Sequence, residues 1–187
     1  RLRRRTTVAM QKVTTNGRKE LRMGVLGCGF MGKCHTNAYK KIPYIYPQAG
    51  FKPRLLVLCD QNHQIVQREA ARYGYEEFTT DWHEMIADGR VDVVDNCGPD
   101  PVHPDPCIAA LENGKHVFVE KPFGCDFDQI KAARDAVKKS GQVVQMGTQR
   151  RSEGYAWAGR ELVQSGRLGK VTYVEVSHCM FQQKWRI

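Results

Sequence analysis

Short apolar runs alternate with amphipathic helical segments from residue 21 to residue 146, and this alternation restricts the chain to few folds. Consecutive parallel strands require a crossover connection, which a helix between them supplies. The sequence therefore predicts an α/β fold, a doubly wound parallel sheet with helices on both faces. The predicted strands are residues 21–26, 54–59, 76–79, 91–97, 116–119 and 142–146. The predicted helices are residues 30–41, 64–73, 81–87, 104–112, 126–140 and 152–165.

Three glycines with the spacing GxGxxG stand between the first predicted strand and the first predicted helix. Gly27 allows a tight turn, Gly29 lets the backbone approach a pyrophosphate, and Gly32 lets the helix pack closely on the strand. The backbone N–H groups and positive end of the helix then face a gap that suits phosphate. In this context the motif predicts a dinucleotide-binding domain over residues 21–149. The alternative is a glycine-rich turn that binds nothing.

Asp60 stands directly after the second predicted strand. A carboxylate at this position accepts hydrogen bonds from the ribose of adenosine, and it repels a 2′-phosphate. Because the neighbouring Gln61 and Asn62 add no cation, the sequence favours NAD over NADP. The alternative is that Asp60 is only a helix cap or a turn residue.

A second polar group follows the fifth predicted strand, at the edge where open α/β sheets bind ligands. It is Glu120-Lys121-Pro122, in which Lys121 could hydrogen-bond a substrate hydroxyl and the nicotinamide ribose, or shuttle a proton. The same residues could equally form a solvated turn. His103, after the fourth predicted strand, faces the same crevice or caps a helix. We interpret His35 as a packing residue, and we expect no metal site.

The amino-acid composition of the chain limits the classes of partner that it could bind. The formal net charge is +9, but eight Lys or Arg residues against Glu20 in residues 1–22 account for most of it. Residues 1–20 are therefore expected to be a basic, disordered leader rather than part of a nucleic-acid-binding face. The seven cysteines form no CxxC pair, which favours reduced thiols and a cytoplasmic location. Neither a membrane span nor a membrane partner is predicted.

These residues resemble the Gfo/Idh/MocA oxidoreductases, the family of glucose-fructose oxidoreductase and inositol dehydrogenase. The resemblance rests on the glycine stretch 24–32 with His35, on Asp60, on residues 91–97 with His103, and on residues 109–122, which end in Glu-Lys-Pro. The Met-Gly-x-x-His-x-x-Ala-Tyr helix and the Gln-Lys-Trp near the end resemble the branch that acts on sugars and cyclitols. Gly98 stands where the family usually has threonine.

The resemblance implies NAD bound by the N-terminal domain, a sugar or polyol substrate, and Lys121 in the catalytic role. Arg150 and Arg151, together with Lys121, are expected to contact substrate. Residues 150–187 would begin a C-terminal substrate domain, whose sheet could also form a homo-oligomer. The expected cofactor-binding residues are Gly27, Gly29, Phe30, Met31, Gly32, Asp60, Cys97, Gly98, His103, Glu120, Lys121 and Gln149.

Two alternatives remain open from the sequence. A dinucleotide-binding or interaction module without catalysis would fit a chain that ends after the first strand of a second domain, predicted at residues 170–180. That strand would offer an unpaired edge to another chain. A redox-assisted, NAD-dependent glycosidase of the same family is the other alternative, because Gly147 to Arg151 resembles that branch.

Overall fold

The computed structural model describes residues 17–177, and a six-stranded sheet forms its centre. The strands are β1 (Lys19–Leu26), β2 (Phe51–Cys59), β3 (Glu77–Thr79), β4 (Val93–Asn96), β5 (His116–Val119) and β6 (Val144–Met146). They lie in the order β3-β2-β1-β4-β5-β6, and every neighbouring pair is parallel. The predicted doubly wound fold is therefore confirmed, with the chain order reversing between β1 and β4.

Helices connect the strands, and a further helix follows β6. They are α1 (Phe30–Ile45), α2 (His63–Tyr73), α3 (Trp82–Ala87), α4 (Pro104–Glu112), α5 (Phe127–Ser140) and α6 (Gly154–Gln164). The side chains of Asn62, Asp81 and Asp126 cap α2, α3 and α5 by accepting first-turn N–H groups. Helices α1, α4 and α6 have no side-chain cap, and the N-cap residue of α1 is Gly29.

Two apolar cores lie on the two faces of the sheet. Successive residues of a strand point to opposite faces, so Val25 and Leu58 belong to one core while Leu26 and Cys59 belong to the other. All four side chains are buried. Continuous apolar runs are thus explained by a sheet that is covered on both faces.

Helix α1 is longer than predicted. It continues to Ile45, so the first residues of the predicted loop at 42–50 are helical. Pro43 stands in the last turn, where its missing N–H removes a single hydrogen bond. The Arg18 guanidinium donates to the carbonyl oxygens of Pro43 and Pro47, at 3.2 and 2.5 Å. Residues that were predicted to belong to the leader therefore begin the folded domain, since β1 starts at Lys19.

A second compact unit begins at Thr148, close to the predicted boundary at residue 149. It contains a short 3-10 helix at Gln149–Ser152 and helix α6. The strand predicted at 170–180 was wrong as far as the chain is described, because residues 171–177 form no strand. Within residues 17–177, this run has no neighbouring strand to satisfy its backbone groups.

Some predictions fall outside the described residues. Residues 1–16 of the leader and the Gln-Lys-Trp at 183–185 are among them. Within the described residues, no helix has the length and apolar character needed to cross a bilayer.

We expect Gly32→Ala to destabilise the domain strongly. A β-carbon on Gly32 would lie 1.9 Å from the carbonyl oxygen of Gly27, so α1 must move away from the turn that precedes it. The expected loss of unfolding free energy is on the order of 3 kcal/mol, measured by urea denaturation. Gly89→Ala is the matched control, because nothing lies within 4 Å of its added β-carbon. Equal stability of the two variants would contradict this account of the turn.

Candidate active site

The carboxyl ends of β1, β4 and β5 bring three predicted segments to one edge of the sheet. The Gly27 N–H donates to the Cys59 carbonyl at 2.8 Å, and the Cys97 N–H donates to the Leu26 carbonyl at 2.8 Å. The Glu120 N–H donates to the carbonyl of Asn96, the last residue of β4, at 3.0 Å. These bonds extend the ladder one residue beyond each strand. The turns that carry the polar residues therefore start side by side.

The glycine turn has the shape that a pyrophosphate requires. Gly27 has φ +91°, and a β-carbon there would lie 2.7 Å from the Cys97 carbonyl oxygen. Gly29 faces open space, with nothing within 4 Å of an added β-carbon. Phe30 is 79% exposed and Met31 is partly buried. Because α1 also lacks a side-chain cap, its first N–H groups suit an anion, and the turn fits a dinucleotide.

Asp60 supports the glycine turn from the end of β2. Its Oδ2 accepts the Cys28 N–H at 3.0 Å and the Cys28 thiol at 3.1 Å, while Oδ1 accepts the Asn62 N–H at 3.1 Å. Partial burial opposes ionisation, but these hydrogen bonds outweigh it and lower the pKa of Asp60. Burial first, and then Asp60, raise the pKa of Cys28 to about 12. Asp60 is thus a turn residue in this structure, and its contact with ribose stays a prediction.

His103 and Asn96 tie the two neighbouring turns together. The His103 side chain is fully buried, with Nδ1 2.5 Å from the Pro122 carbonyl oxygen and Nε2 2.9 Å from the Gly98 carbonyl oxygen. Asn96 accepts the Gly98 N–H at 3.1 Å. His103 stands at the N-cap position of α4, but its side chain makes no capping bond. Its lining of the cofactor stays a prediction, since in this structure the ring joins the Gly98 and Pro122 turns.

His35 belongs to a buried polar cluster, although we expected it to be a packing residue. Its Nδ1 lies 2.9 Å from Asp95 Oδ2, and its Nε2 lies 3.1 Å from Glu120 Oε1. The Tyr39 hydroxyl donates to Asp95 Oδ2 at 2.8 Å. Asp95 is fully buried and Glu120 is 5% exposed. The His35 ring, expected to be a packing group, is therefore a bridge between two carboxylates.

Cys97 joins the same cluster. Its Sγ lies 3.1 Å from His35 Nδ1 and 3.4 Å from Asp95 Oδ1. These three residues are near enough to be considered as metal ligands, yet ligands around tetrahedral zinc stand about 3.3–3.6 Å apart. The closer nitrogen contacts are hydrogen bonds, which explain the grouping without an ion. Burial, followed by the charge of Asp95, raises the pKa of the Cys97 thiol.

Lys121 is exposed beside the buried Glu120. The Lys121 backbone N–H donates to Glu120 Oε2 at 3.2 Å. Gly147 leaves space for this carboxylate, because a β-carbon there would lie 2.6 Å from Glu120 Oε1. The predicted residues Gln149, Arg150 and Arg151 are exposed in the 3-10 helix of the second unit. Their contacts with cofactor or substrate stay predictions.

The sequence did contain a signal for the missed cluster. Asp95 interrupts the buried apolar strand β4, and a buried carboxylate needs donors. His35 and Tyr39 are four residues apart on α1, so they share one helix face. Nothing in the spacing showed that this face reaches Asp95, because 60 residues separate His35 from it.

A model of the oxidoreductase family with an NAD-binding Rossmann fold, GFO_IDH_MocA, matches residues 21–148. The chain belongs to this family. The resemblance found in the sequence is therefore confirmed, and the glycine turn is that of an NAD-binding domain.

Relatives with known activities support the same assignment. The chain is 33% identical over 153 residues to levoglucosan dehydrogenase of Pseudarthrobacter phenanthrenivorans. This match covers 82% of this chain and 39% of that protein. It is 34% identical over 155 residues to scyllo-inositol 2-dehydrogenase (NAD(+)) of Bacillus subtilis. This match covers 82% of this chain and 43% of that protein. The chain thus spans about two fifths of the length of these relatives.

A solved structure of levoglucosan dehydrogenase in complex with NADH and levoglucosan superposes with a TM-score of 0.76 at 33% identity. The match covers 81% of this chain and 41% of that one. An NAD binding oxidoreductase from Klebsiella pneumoniae gives a TM-score of 0.74 at 32% identity. This match covers 80% of this chain and 40% of that one. Both matches leave more than half of the solved chain without a counterpart here.

We expect Asp60→Asn to weaken the glycine turn in a pH-dependent way. The pKa of Asp60 is lowered by folding, so its contribution is present above pH ~3.9 and is lost as the pH falls through the lower pKa of the folded state. Near pH 7 the variant should lose about 1 kcal/mol of unfolding free energy, and the difference from wild type should shrink at acid pH. Urea denaturation at several pH values measures this, with Asp135→Asn on the exposed face of α5 as control. A difference that is constant with pH would contradict the ionic role.

Proposed function

We propose that this chain is the cofactor-binding part of an NAD-dependent oxidoreductase that transfers a hydride between nicotinamide and a secondary hydroxyl of a sugar or cyclitol. The 3.1 Å contact between His35 of α1 and Glu120 carries the proposal, because it brings the helix after the glycine turn to the Glu-Lys-Pro turn. Cofactor-holding and reactive groups then share one edge of the sheet. The relatives' substrates, levoglucosan and inositol, support the substrate class.

Lys121 is the residue that we place in the catalytic role. Its side chain is exposed at the edge of the sheet, while the adjoining Glu120 carboxylate is buried and fixed. A lysine in that setting can donate a hydrogen bond to the substrate hydroxyl and hold it against the cofactor, or take its proton. Bound NAD supplies the hydride acceptor.

Arg150 and Arg151 are proposed substrate contacts. Both are exposed donors in the 3-10 helix that follows β6. Guanidinium groups present several N–H donors in a fixed plane, which suits the adjacent hydroxyl groups of a sugar or cyclitol ring. The substrate class is therefore consistent with the residue types that follow the cofactor domain.

The proposal requires this chain to bind NADH, and Gly29→Ala should weaken that binding without unfolding the domain. The added methyl group meets no protein atom within 4 Å, so it would obstruct only a ligand. Wild type should show saturable binding below about 1 mM in an NADH fluorescence titration. The variant should raise the Kd about tenfold or more, which corresponds to ~1.4 kcal/mol.

Gly89→Ala is the control for this titration, because its β-carbon also meets nothing within 4 Å but lies outside the glycine turn. It should bind NADH as wild type does. Both variants should have unfolding free energies within about 1 kcal/mol of wild type. Absence of NADH binding by the wild-type chain at millimolar cofactor would overturn the proposed function.

Lys121→Ala should separate binding from chemistry. In a protein that joins this chain to a complete substrate domain, turnover of a polyol with NAD should fall by at least about 100-fold. NADH affinity should stay within about threefold of wild type, because the glycine turn is intact. Lys138→Ala, on the exposed side of α5, is the control and should keep full turnover. Undiminished turnover by the Lys121 variant would exclude its catalytic role.

A further inference from the structure

The imidazole of His35 lies between two carboxylates that come from different strands. Asp95 belongs to β4, and Glu120 directly follows β5. The ring nitrogens are 2.9 Å from Asp95 Oδ2 and 3.1 Å from Glu120 Oε1. A neutral imidazole carries one N–H, whereas an imidazolium carries two. Only the protonated ring can therefore donate to both carboxylates at once.

The two carboxylates depend on His35 to different degrees. Asp95 also accepts from the Tyr39 hydroxyl at 2.8 Å and contacts the Cys97 thiol at 3.4 Å. Glu120 Oε1 accepts from His35, and Oε2 accepts the backbone N–H of Lys121 at 3.2 Å. With only 5% of Glu120 exposed, water is a poor substitute for a lost donor. Loss of the imidazolium should therefore affect Glu120 more than Asp95.

Glu120 in turn determines where the Lys121 turn begins. Its carboxylate accepts the Lys121 N–H and occupies the space that Gly147 leaves open. We propose that His35 is a positioning residue, an imidazolium that holds the Glu120 carboxylate and thereby fixes Lys121 relative to the helix after the glycine turn. This role rests on the proposed dehydrogenase function, because it gives Lys121 a cofactor and a substrate to meet.

The surroundings of His35 make its contacts with the two carboxylates sensitive to pH. The groups that face the ring are Asp95 and Cys97 from β4 and its end, Glu120 from the end of β5, and the edge of the Phe118 ring at 5.2 Å. Partial burial disfavours the charged ring, but Asp95 and Glu120 outweigh it and raise the pKa of His35. The bridge is therefore complete below pH ~6.5 and is lost as the pH rises through the higher pKa of the folded state.

The protonation state can be measured without any cofactor. In the 187-residue chain labelled with 15N in histidine, the His35 ring signals are assigned by their absence from His35→Gln. We expect both ring nitrogens to be protonated at pH ~6.5, the usual midpoint of a histidine, and to lose one proton only at higher pH. A His35 ring that is mostly neutral at pH ~6.5 would overturn the proposal and would leave the proposed function untouched.

The positioning role is tested by the pH dependence of NADH binding. Wild-type Kd should rise about threefold to tenfold as the pH passes through the His35 titration. The reason is that the Glu120 carboxylate and the backbone of the Lys121 turn, which are expected to line the cofactor, then lose their fixed position. His35→Gln should show the weaker Kd at all pH values, since one amide cannot donate to both carboxylates. Gly147→Ala should do the same with His35 intact, because its methyl group displaces Glu120.

His83→Gln is the matched control, since the side chain of this histidine is 69% exposed and its ring pairs with Asp81 at the start of α3, away from Glu120. It should retain the wild-type Kd and its pH dependence. An unchanged Kd and pH profile in His35→Gln would overturn the positioning role while the proposed function stands. Failure of the wild type to bind NADH at every pH would overturn the proposed function, and the role that rests on it.

Discussion

The turn between β1 and α1 depends on the absence of a side chain at Gly32, where a β-carbon would lie 1.9 Å from the carbonyl oxygen of Gly27. This contact brings the start of α1 directly against the end of β1. Gly27 in turn lies against the Cys97–Gly98 backbone at the end of β4. Both contacts are between backbones, so no side-chain rearrangement can relieve them. The carboxyl edge of the sheet is assembled around these two close contacts between backbone segments.

Polar groups then stabilise the turns that leave this edge. Asp60 holds the glycine turn, Asn96 and His103 hold the turns after β4 and β5, and the His35 ring joins α1 to Glu120. Each of these groups is partly or fully buried, which makes its hydrogen bonds strong and their loss costly. Buried contacts between polar atoms thus hold this edge of the sheet, as contacts between apolar atoms hold the core. Lys121 is exposed on this support, as expected of a group that must meet a ligand.

Most of the fold could be predicted from the sequence, because its parallel strands and helices have strong local patterns. Apolar runs marked most of the strands, although β3 is largely polar, and Asp81 and Asp126 marked helix starts by capping chemistry. The apolar run at 171–177 forms no strand, because alternation predicts a strand without its partner, and no partner strand lies beside the run in the described part of the chain. The bridge from His35 to Glu120 could not be predicted, since it joins residues 85 positions apart through the packing of α1 on the sheet.

Helix α1 begins without a side-chain cap, unlike α2, α3 and α5. Its first N–H groups therefore suit an anion, and the phosphate of a dinucleotide is the anion expected there. A cofactor held there is a ligand of the folded state alone, so it shifts the folding equilibrium by mass action. At a concentration of about 100 times its Kd this adds ~2.7 kcal/mol. The cellular supply of dinucleotide thereby becomes part of what keeps this domain folded.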